Sequence, residues 1–187
     1  SDDGTGLYVF KNAAGSENIA IYEGVEKTKT FLVGEKTERQ IYIIPDETID
    51  TMLADVQVFE TSSSSNFVSY TPLSQAITID ATTTFYAIHE SPNGFYELNF
   101  GDGISFGKSP EPGEKIVVTY LSCKGAQANN GTVFTPVSGI DVAGNEYSLS
   151  IVTNSESSGG DTKQSIESIR QLAPIAYAGQ QRLVTSL

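Results

Sequence analysis

The sequence predicts a mainly β fold, with antiparallel sandwich or barrel-like sheets and one short C-terminal helix; the whole could also be classed as α+β. Two observations lead to this prediction. Apolar residues over most of the chain recur with a period of two, which is typical of half-buried strands. The same runs are rich in β-branched and aromatic residues and are bounded by Gly, Pro, Asn and Asp, which favour turns. Only after Asn154 do apolar residues follow a helical spacing.

Seven runs have the strand pattern. They recur about every 10 to 15 residues, as in antiparallel sandwiches and barrels rather than in alternating βαβ units. In chain order they cover residues 19–22, 28–33, 39–44, 56–59, 85–88, 95–100 and 115–121. Strand patterning also resumes with Phe67 and Tyr70, so the polar segment 61–65, Thr-Ser-Ser-Ser-Ser, is predicted to be the tip of a loop.

Two of the predicted turns have a clear stereochemical cause. In residues 91–94, Ser-Pro-Asn-Gly, proline fixes φ at the first corner and Asn-Gly can adopt positive φ, so the flanking strands are expected to form a hairpin. In residues 109–114, Ser-Pro-Glu-Pro-Gly-Glu, the prolines prevent a helix and the glycine permits a tight reversal. The strand that follows is the best defined in the sequence.

The last third of the chain has a different character. Residues 124–131 carry no large apolar side chain, so the sequence predicts a β-rich domain at 1–125 and, at 126–187, a connector with further β segments and a helix. Asp161 or Thr162 is placed to cap that helix, and Ile166, Ile169, Leu172 and Ala173 fall on one of its faces. Pro174 should stop or kink it. A helix this short needs a partner surface.

Charge and length argue against several functions. The 187 residues include 11 basic and 23 acidic ones, a net charge of −12, and no basic stripe that could neutralise nucleic-acid phosphates or an anionic membrane. No apolar stretch approaches the roughly 20 residues that span a bilayer. The first residues lack the features of a signal peptide. The missing initiator methionine and the abrupt end lead us to expect a piece of a longer protein.

No catalytic, cofactor or metal site is predicted. His89 is the one histidine and lies at a hairpin end, so a Ser-His-Asp arrangement would depend on it alone. Cys123 has no nearby base and is interpreted as a packed thiol. The turn that contains Asp46, Glu47 and Asp50 is the best oxygen cluster for a cation such as calcium, but it lacks the spacing of a calcium loop. A solvated acidic turn is the simpler interpretation.

A glycine-rich segment at residues 101–108 has some features of a phosphate-binding loop. Only three residues separate Gly103 from Gly107, one fewer than a P-loop requires, and two prolines prevent the helix that should follow. We therefore predict a sharp turn between strands, with glycines at positive φ and with Phe100 and Phe106 packing inward.

Several short segments of the sequence follow one another in a specific order. Residues 95–107 read Phe-Tyr-Glu-Leu-Asn-Phe-Gly-Asp-Gly-Ile-Ser-Phe-Gly, and 112–113, 116–121, 125–131, 152–154, 159–161, 167–170, 173–174 and 180–185 follow. This order resembles the baseplate wedge proteins of contractile-tailed, T-even-like bacteriophages, the baseplate J-like family. The likeness spans roughly residues 85–185, and the first 60 residues fit more loosely, through 42–45 and Ile49. One departure is Lys163, where the family often has an acidic residue.

The resemblance implies a structural virion protein without catalysis, assembled in the host cytoplasm and located in the tail baseplate. Such a protein self-associates through homodimer contacts and, with other baseplate wedge proteins, links wedges into a ring around the tail hub. No cofactor, nucleic acid, membrane or small-molecule substrate is expected. Contacts would use strand edges and apolar patches. The candidate interaction residues are Phe95, Phe100 and Phe106 in the turn region and Ile166, Ile169 and Leu172 on the helix.

Two other functions remain open on the sequence. One is a secreted or surface β-sandwich module that binds carbohydrate or another cell-surface ligand, with exposed tyrosines and a calcium-dependent turn at residues 46–50. The other is a hydrolase with two carboxylates in a cleft at the spacing that glycosidases require. A calcium titration separates the first from an assembly module, because a ligand that binds only the folded state raises stability.

Overall fold

The computed structural model describes residues 14–16, 18–35, 40–142 and 144–179. The protein is mainly β, with 34% strand and 10% helical residues, which confirms the predicted fold class. The chain divides into two compact units, Ser1–Cys123 and Lys124–Leu187, which we call the β unit and the C-terminal unit. The division predicted from sequence was 1–125 and 126–187.

Within the described residues, seven strands form one sheet, two form a small hairpin, and one α-helix follows. In the β unit the strands are β1 Val25–Leu32, β2 Tyr42–Ile44, β3 Ile49–Phe59, β4 Phe67–Pro72, β5 Phe85–Glu90, β6 Tyr96–Phe100 and β7 Lys115–Ser122, with a short 3-10 turn at Leu73–Gln75. In the C-terminal unit a 3-10 turn at Gly125–Ala128 precedes β8 Ile140–Val142, β9 Asn145–Tyr147 and the helix α1, Ile166–Gly179.

The seven-stranded sheet has the order β1-β7-β3-β4-β5-β6-β2. Every neighbouring pair is antiparallel except β4 and β5, which run parallel where Thr71 faces Phe85 and Pro72 faces Tyr86. The predicted antiparallel arrangement therefore holds at every pairing of the sheet except this one. Residues 73–84 supply the crossover of about a dozen residues that a parallel connection needs.

The sheet is nearly closed, because its two edge strands approach each other. The ring of Phe31 on β1 lies 5.3 Å from the ring of Tyr42 on β2. Just beyond β2, Asp46 Oδ2 accepts a 2.7 Å salt-bridge hydrogen bond from Lys27 Nζ on β1. Side chains thus cover the gap between edges that could otherwise pair with another chain.

The core lies inside this curved sheet and follows the predicted period of two. On β7 alternate side chains are buried, and Val56 and Val58 of β3 face them. The buried cluster comprises Val33, Tyr42, Ile44, Ile49, Val56, Val58, Tyr70, Tyr86, Leu98, Ile116, Val118 and Tyr120. Burying one such aliphatic side chain contributes about 1.5–3 kcal/mol. This core belongs entirely to the β unit.

Most predicted strands are confirmed, and one is wrong. Residues 19–22 form no strand, and Ile19, Ile21 and Tyr22 are exposed there. A β-branched run becomes a strand only where a neighbouring strand and a packing surface receive it. The run predicted at 39–44 forms a strand only as β2, and residue 39 lies outside the described residues. The run predicted at 56–59 is the end of the longer β3.

The loop predicted at residues 61–65 and the hairpin turn predicted at 91–94 are confirmed. Segment 61–65 connects β3 to β4. In the predicted β5–β6 hairpin, Ile88 pairs with Leu98, and Gly94 N donates to Ser91 O at 2.9 Å. Gly94 has a φ of 87°, whereas Asn93 does not adopt positive φ.

The C-terminal unit is held by hydrogen bonds between two of its segments. Asn129 Nδ2 donates to Gly160 O at 2.7 Å, and Gly160 N donates back to Asn129 Oδ1 at 2.9 Å. Ser157 Oγ donates to Ala128 O at 2.6 Å and accepts from Gly131 N at 2.7 Å. Among the described side chains at 124–141 and 144–174, none is buried. Polar contacts therefore define this part of the unit without an apolar core.

The helix α1 begins later than predicted and continues further. Its cap is Ser165, whose Oγ accepts from Ser168 N at 3.2 Å; Asp161 and Thr162 precede the first helical turn and cannot serve. The prediction that one of those two residues caps the helix is wrong. Pro174 lies inside the helix, which continues to Gly179 despite the hydrogen bond that proline removes. Within the described residues, no helix has the length and apolarity required to cross a membrane.

Candidate interaction surfaces

One exposed loop of the β unit, residues 101–107, is fixed by a single carboxylate; we call it the Asp102 loop. Asp102 Oδ1 accepts hydrogen bonds from the backbone N–H groups of Phe106, Ile104 and Ser105, each at 2.8 Å. These three bonds lower the pKa of Asp102, because they favour its charged form. The three hydrogen bonds to Asp102 thus hold the loop that contains this Asp-Gly pair in one conformation.

Two glycines allow this loop to lie close against the sheet. Gly107 has a φ of 77°, and a Cβ there would overlap the ring of Phe85. A Cβ on Gly101 would overlap the backbone of Phe106 and Gly107. Any side chain at either position would push the loop away from the strand that it covers.

The loop is also anchored to the segment before β5. Gly107 N donates to Asp80 O at 2.9 Å, and Lys108 N donates to Thr83 O at 2.8 Å. Asp80 is itself held, because its carboxylate accepts from the hydroxyl groups of Thr82 and Thr83 at 2.8 and 2.9 Å. Those hydrogen bonds lower the pKa of Asp80. The loop is therefore preorganised by its surroundings as well as by its own carboxylate.

This rigid loop presents apolar side chains to solvent. Ile104 is 80% exposed and Phe106 is 50% exposed. The ring of Phe106 also contacts that of Phe85 edge to face, with centroids 5.2 Å apart, so the inward packing predicted for Phe106 is only partial. The sequence interpretation missed Ile104. The sequence does contain an indication that Ile104 is exposed, because this aliphatic residue directly follows Asp-Gly at the tip of a predicted turn.

The other two aromatic candidates of this region are less available. Phe100 packs in the core as predicted, with its ring 5.8 Å from that of Tyr42 and 5.2 Å from that of Tyr70. Phe95 is partly buried in the loop between β5 and β6. Of the three predicted interaction residues here, only Phe106 offers a large exposed surface.

The second surface is the apolar face of α1, which we call the α1 stripe: Ile166, Ile169 and Leu172. Their exposed fractions are 63%, 49% and 46%. Residues three apart lie on one face of a helix, so these side chains form a continuous strip. All three were predicted as interaction residues, and the structure leaves the strip uncovered.

Further apolar side chains of the C-terminal unit are exposed as well. Val133, Val137 and Val152 each lie largely in solvent. A folded unit of about 60 residues is only marginally stable even when it buries a core of its own. No side chain described at residues 124–141 and 144–174 is buried, so we expect the unit to gain stability where another surface covers its exposed aliphatic side chains.

Charge is distributed very unequally between the two units. The β unit contains 18 acidic and 7 basic residues, a formal charge of −11, whereas the C-terminal unit contains 5 acidic and 4 basic residues, a charge of −1. Two β units repel each other when they approach, most strongly at low ionic strength. The C-terminal unit has almost no such barrier.

The acidic turn considered for calcium has other partners. Asp46 Oδ1 accepts from Thr48 N at 2.9 Å and from Thr48 Oγ1 at 2.7 Å, in addition to the salt bridge with Lys27. Burial opposes its ionisation, but the hydrogen bonds from Lys27 and Thr48 outweigh that effect and lower its pKa well below the ordinary value. Over the described ranges, no three His, Cys, Asp or Glu side chains gather into a group that could hold a metal ion.

The remaining reactive side chains are in ordinary environments. His89 is exposed on β5 opposite Glu97 of β6 and borders a cavity of about 350 Å³, whose lining also includes Met52, Leu73 and Tyr86. The thiol of Cys123 donates to Glu23 O at 3.0 Å, and burial raises its pKa, which disfavours the reactive thiolate. Within the part of the chain that the structure describes, the side chain of His89 makes no hydrogen bond.

The two surfaces are thus the features that stand out chemically: an apolar loop fixed in one conformation, and an uncovered apolar helix in a unit of low charge. Comparison with known proteins adds no relative to these observations, since no family model and no curated protein sequence matches the chain.

Proposed function

We propose that this chain is a structural module of a phage tail baseplate wedge, which self-associates and joins other wedge proteins into a ring around the tail hub. The observation that carries the proposal is the C-terminal unit, which exposes the α1 stripe and, in its described part, buries no side chain. Uncovered apolar surface of this kind marks a site of association. The proposal that this association occurs in a baseplate wedge rests on the sequence segments, in their order along the chain, that resemble baseplate wedge proteins.

The Asp102 loop supports the same proposal from the β unit. A loop whose backbone is already fixed before binding loses less conformational entropy when it meets a partner. The backbone that carries Ile104 is held in this way, because the carboxylate of Asp102 accepts hydrogen bonds from the N–H groups of residues 104–106. The loop belongs to a unit of formal charge −11, so we expect its partner to be a wedge protein with an apolar pocket and a basic rim.

On this proposal the protein acts in the virion after assembly in the host cytoplasm, and it has no catalytic role, cofactor or small-molecule substrate. The alternative of a calcium-dependent binding module draws no support from the acidic turn. There the carboxylate of Asp46 is already engaged by Lys27 and Thr48. Lys27 would have to move away from Asp46 before a cation could bind to that carboxylate.

The mass of the protein in solution tests the proposal. Size-exclusion chromatography with light scattering should show a mass that rises with protein concentration, alone or on mixing with purified wedge proteins of a contractile-tail baseplate. A chain that stays monomeric at every concentration and binds none of those proteins would contradict it. Thermal unfolding with and without millimolar calcium is the companion experiment, and an increase in Tm with calcium would favour the binding module instead.

A further inference from the structure

We propose that the β unit binds an extended peptide segment of a partner protein, rich in lysine or arginine, which adds as a strand between β3 and β5. The site is the space between these two strands beyond the end of β4, which we call the β3–β5 gap. The proposal goes beyond the function proposed above, because it uses neither the α1 stripe nor the Asp102 loop. Three observations lead to it: the course of β4, the backbone groups of β5, and the charges that border the gap.

The gap exists because β4 leaves the sheet before its two neighbours end. β4 lies between β3 and β5, which places those strands two strand spacings, about 9.5 Å, apart at β4. β4 ends at Pro72, and the chain then enters the 3-10 turn. Along the line of β4, residues 49–53 of β3 and 87–90 of β5 continue past that point. Among the described residues, no strand lies between these two segments.

The cavity of about 350 Å³ lies in this gap. Its lining comes from the three elements that border the gap: Thr51 and Met52 of β3, residues 72–75 at the end of β4, and residues 86–89 of β5. At the end nearest β4, the hydroxyl of Tyr86 donates to Ala54 O at 2.6 Å and ties β5 to β3. Ligand pockets in proteins have volumes of roughly 300–1,000 Å³. The gap is therefore large enough to receive side chains of an added strand.

The backbone of β5 presents hydrogen-bonding groups to the gap. Ser91 N donates to Phe95 O at 2.8 Å, so the odd-numbered residues of β5 form the hydrogen-bonded pairs with β6. The even-numbered Ile88 then directs its N–H and C=O to the other edge, the edge on which Thr71 N donates to Thr84 O at 3.0 Å. No described residue pairs with Ile88 on that edge. Unpaired groups of this kind are a template for the backbone of an added strand.

The charges around the gap favour a basic peptide. The bordering segments 49–55, 72–75 and 86–90 contain Asp50, Asp55 and Glu90 but no lysine or arginine. Burial first, and the charge of Asp55 second, raise the pKa of Tyr86, which places that carboxylate near the gap. These residues belong to a unit of charge −11. A basic segment is attracted to this surface, whereas an acidic one is repelled.

The two sides of the added strand should differ in composition. Alternate side chains of a strand point to opposite faces, so one set enters the cavity and the other faces solvent. Met52, Leu73 and Ile88 line the cavity, and aliphatic side chains match them. Lysine or arginine fits the outward positions, where its charge stays hydrated. We therefore expect a partner segment in which aliphatic and basic residues alternate.

A synthetic peptide of this pattern tests the proposal with the intact chain. The probe is Thr-Lys-Val-Lys-Val-Lys-Thr, with capped ends and a fluorescent label, and its anisotropy should rise to saturation at low ionic strength. N-methylation of both valines removes two backbone donors and should raise the dissociation constant roughly tenfold or more. Glutamate in place of the three lysines should weaken binding by at least as much. Equal binding of the N-methylated peptide would overturn strand addition.

Hydrogen exchange followed by NMR locates the bound peptide without any substitution in the protein. The amide of Ile88 should exchange more slowly when the peptide is bound, because its N–H gains a partner in the gap. The neighbouring His89 is the matched control, since its amide pairs with β6 with or without peptide. Protection confined to other residues, or no change at Ile88, would overturn the proposed site.

One pair of charge variants tests the preference for a basic segment. Asp55→Asn should raise the dissociation constant of the lysine peptide roughly threefold, as expected for an exposed charge pair. Glu26→Gln makes the same change of charge on β1, which does not border the gap, and should leave binding unchanged. Equal weakening by both substitutions would show general attraction to an acidic surface and contradict the site. None of these results depends on self-association or on other wedge proteins, so failure here leaves the proposed baseplate role standing.

Discussion

Two tyrosines buried in the same core should respond in opposite ways to loss of their hydroxyl groups. Tyr86 is 2% exposed, and its hydroxyl donates to Ala54 O at 2.6 Å. Tyr70 is 3% exposed, and its hydroxyl makes no hydrogen bond with any residue that the structure describes. Phenylalanine at either position keeps the ring and removes only the hydroxyl. The pair therefore isolates the hydrogen bond from the packing.

The magnitudes follow from the general cost of buried polar groups. Tyr86→Phe removes a buried bond and the donor that serves Ala54 O, which should cost about 1–2 kcal/mol of unfolding free energy. Tyr70→Phe removes an unsatisfied polar atom, so the change should be neutral or stabilising by up to about 1 kcal/mol. For a chain of this size, 1 kcal/mol corresponds to a shift in Tm of about 2–4 °C.

Urea unfolding, followed by circular dichroism of the β unit, measures both changes. Both variants should keep the slope of the parent protein, and the midpoint should fall for Tyr86→Phe alone. Equal destabilisation by the two substitutions, or a larger loss of stability for Tyr70→Phe, would show instead that the hydroxyl of Tyr70 has a hydrogen-bond partner in solution.

Three further predictions concern the loop, the core and the C-terminal unit. Gly107→Ala should destabilise the protein by about 1–3 kcal/mol in urea unfolding, because its Cβ overlaps Phe85. Gly113 also has a positive φ, but no atom lies within 4 Å of an added Cβ there. Gly113→Ala should therefore lower the free energy of unfolding by less than Gly107→Ala. Burial raises the pKa of Tyr86 to about 12. The free energy of unfolding should therefore fall as pH rises above about 10, where tyrosine in the unfolded chain ionises. Tyrosinate absorbance reports the ionisation, and a free energy of unfolding that stays constant above about pH 10 would contradict this prediction. Ser157→Ala should speed amide exchange at residues 128–131, with β-unit exchange unchanged.

Much of the β unit could be predicted from the sequence because its signals are local. Alternating apolar residues mark β7, and proline and glycine mark the turns at 91–94 and 109–114. The parallel pairing of β4 with β5 could not be predicted, since it depends on how a long crossover folds back. The run at 19–22 has strand composition, yet no strand among the described residues pairs with it, and composition alone does not reveal that.

The candidate site was only partly predictable for a related reason. The helical spacing of Ile166, Ile169 and Leu172 marks a face that needs a partner, and this is visible in sequence. Whether a given aromatic residue faces solvent depends on tertiary packing. Phe100 packs against Tyr42 and Tyr70 from distant strands, whereas Phe106 lies at the surface beside Phe85. The exposure of Ile104 likewise follows from the geometry that Asp102 imposes on its loop.

We expect the C-terminal unit to acquire its core by association, and hydrogen exchange measured at several protein concentrations distinguishes this from a unit that is stable alone. Amides of α1 and of the β8–β9 hairpin should exchange rapidly in dilute protein and slow down as self-association or added wedge protein covers them, while the core strands β3 and β7 stay protected throughout. Slow exchange in α1 that is the same in a dilute monomer and at high concentration would show that the C-terminal unit is stable without a partner.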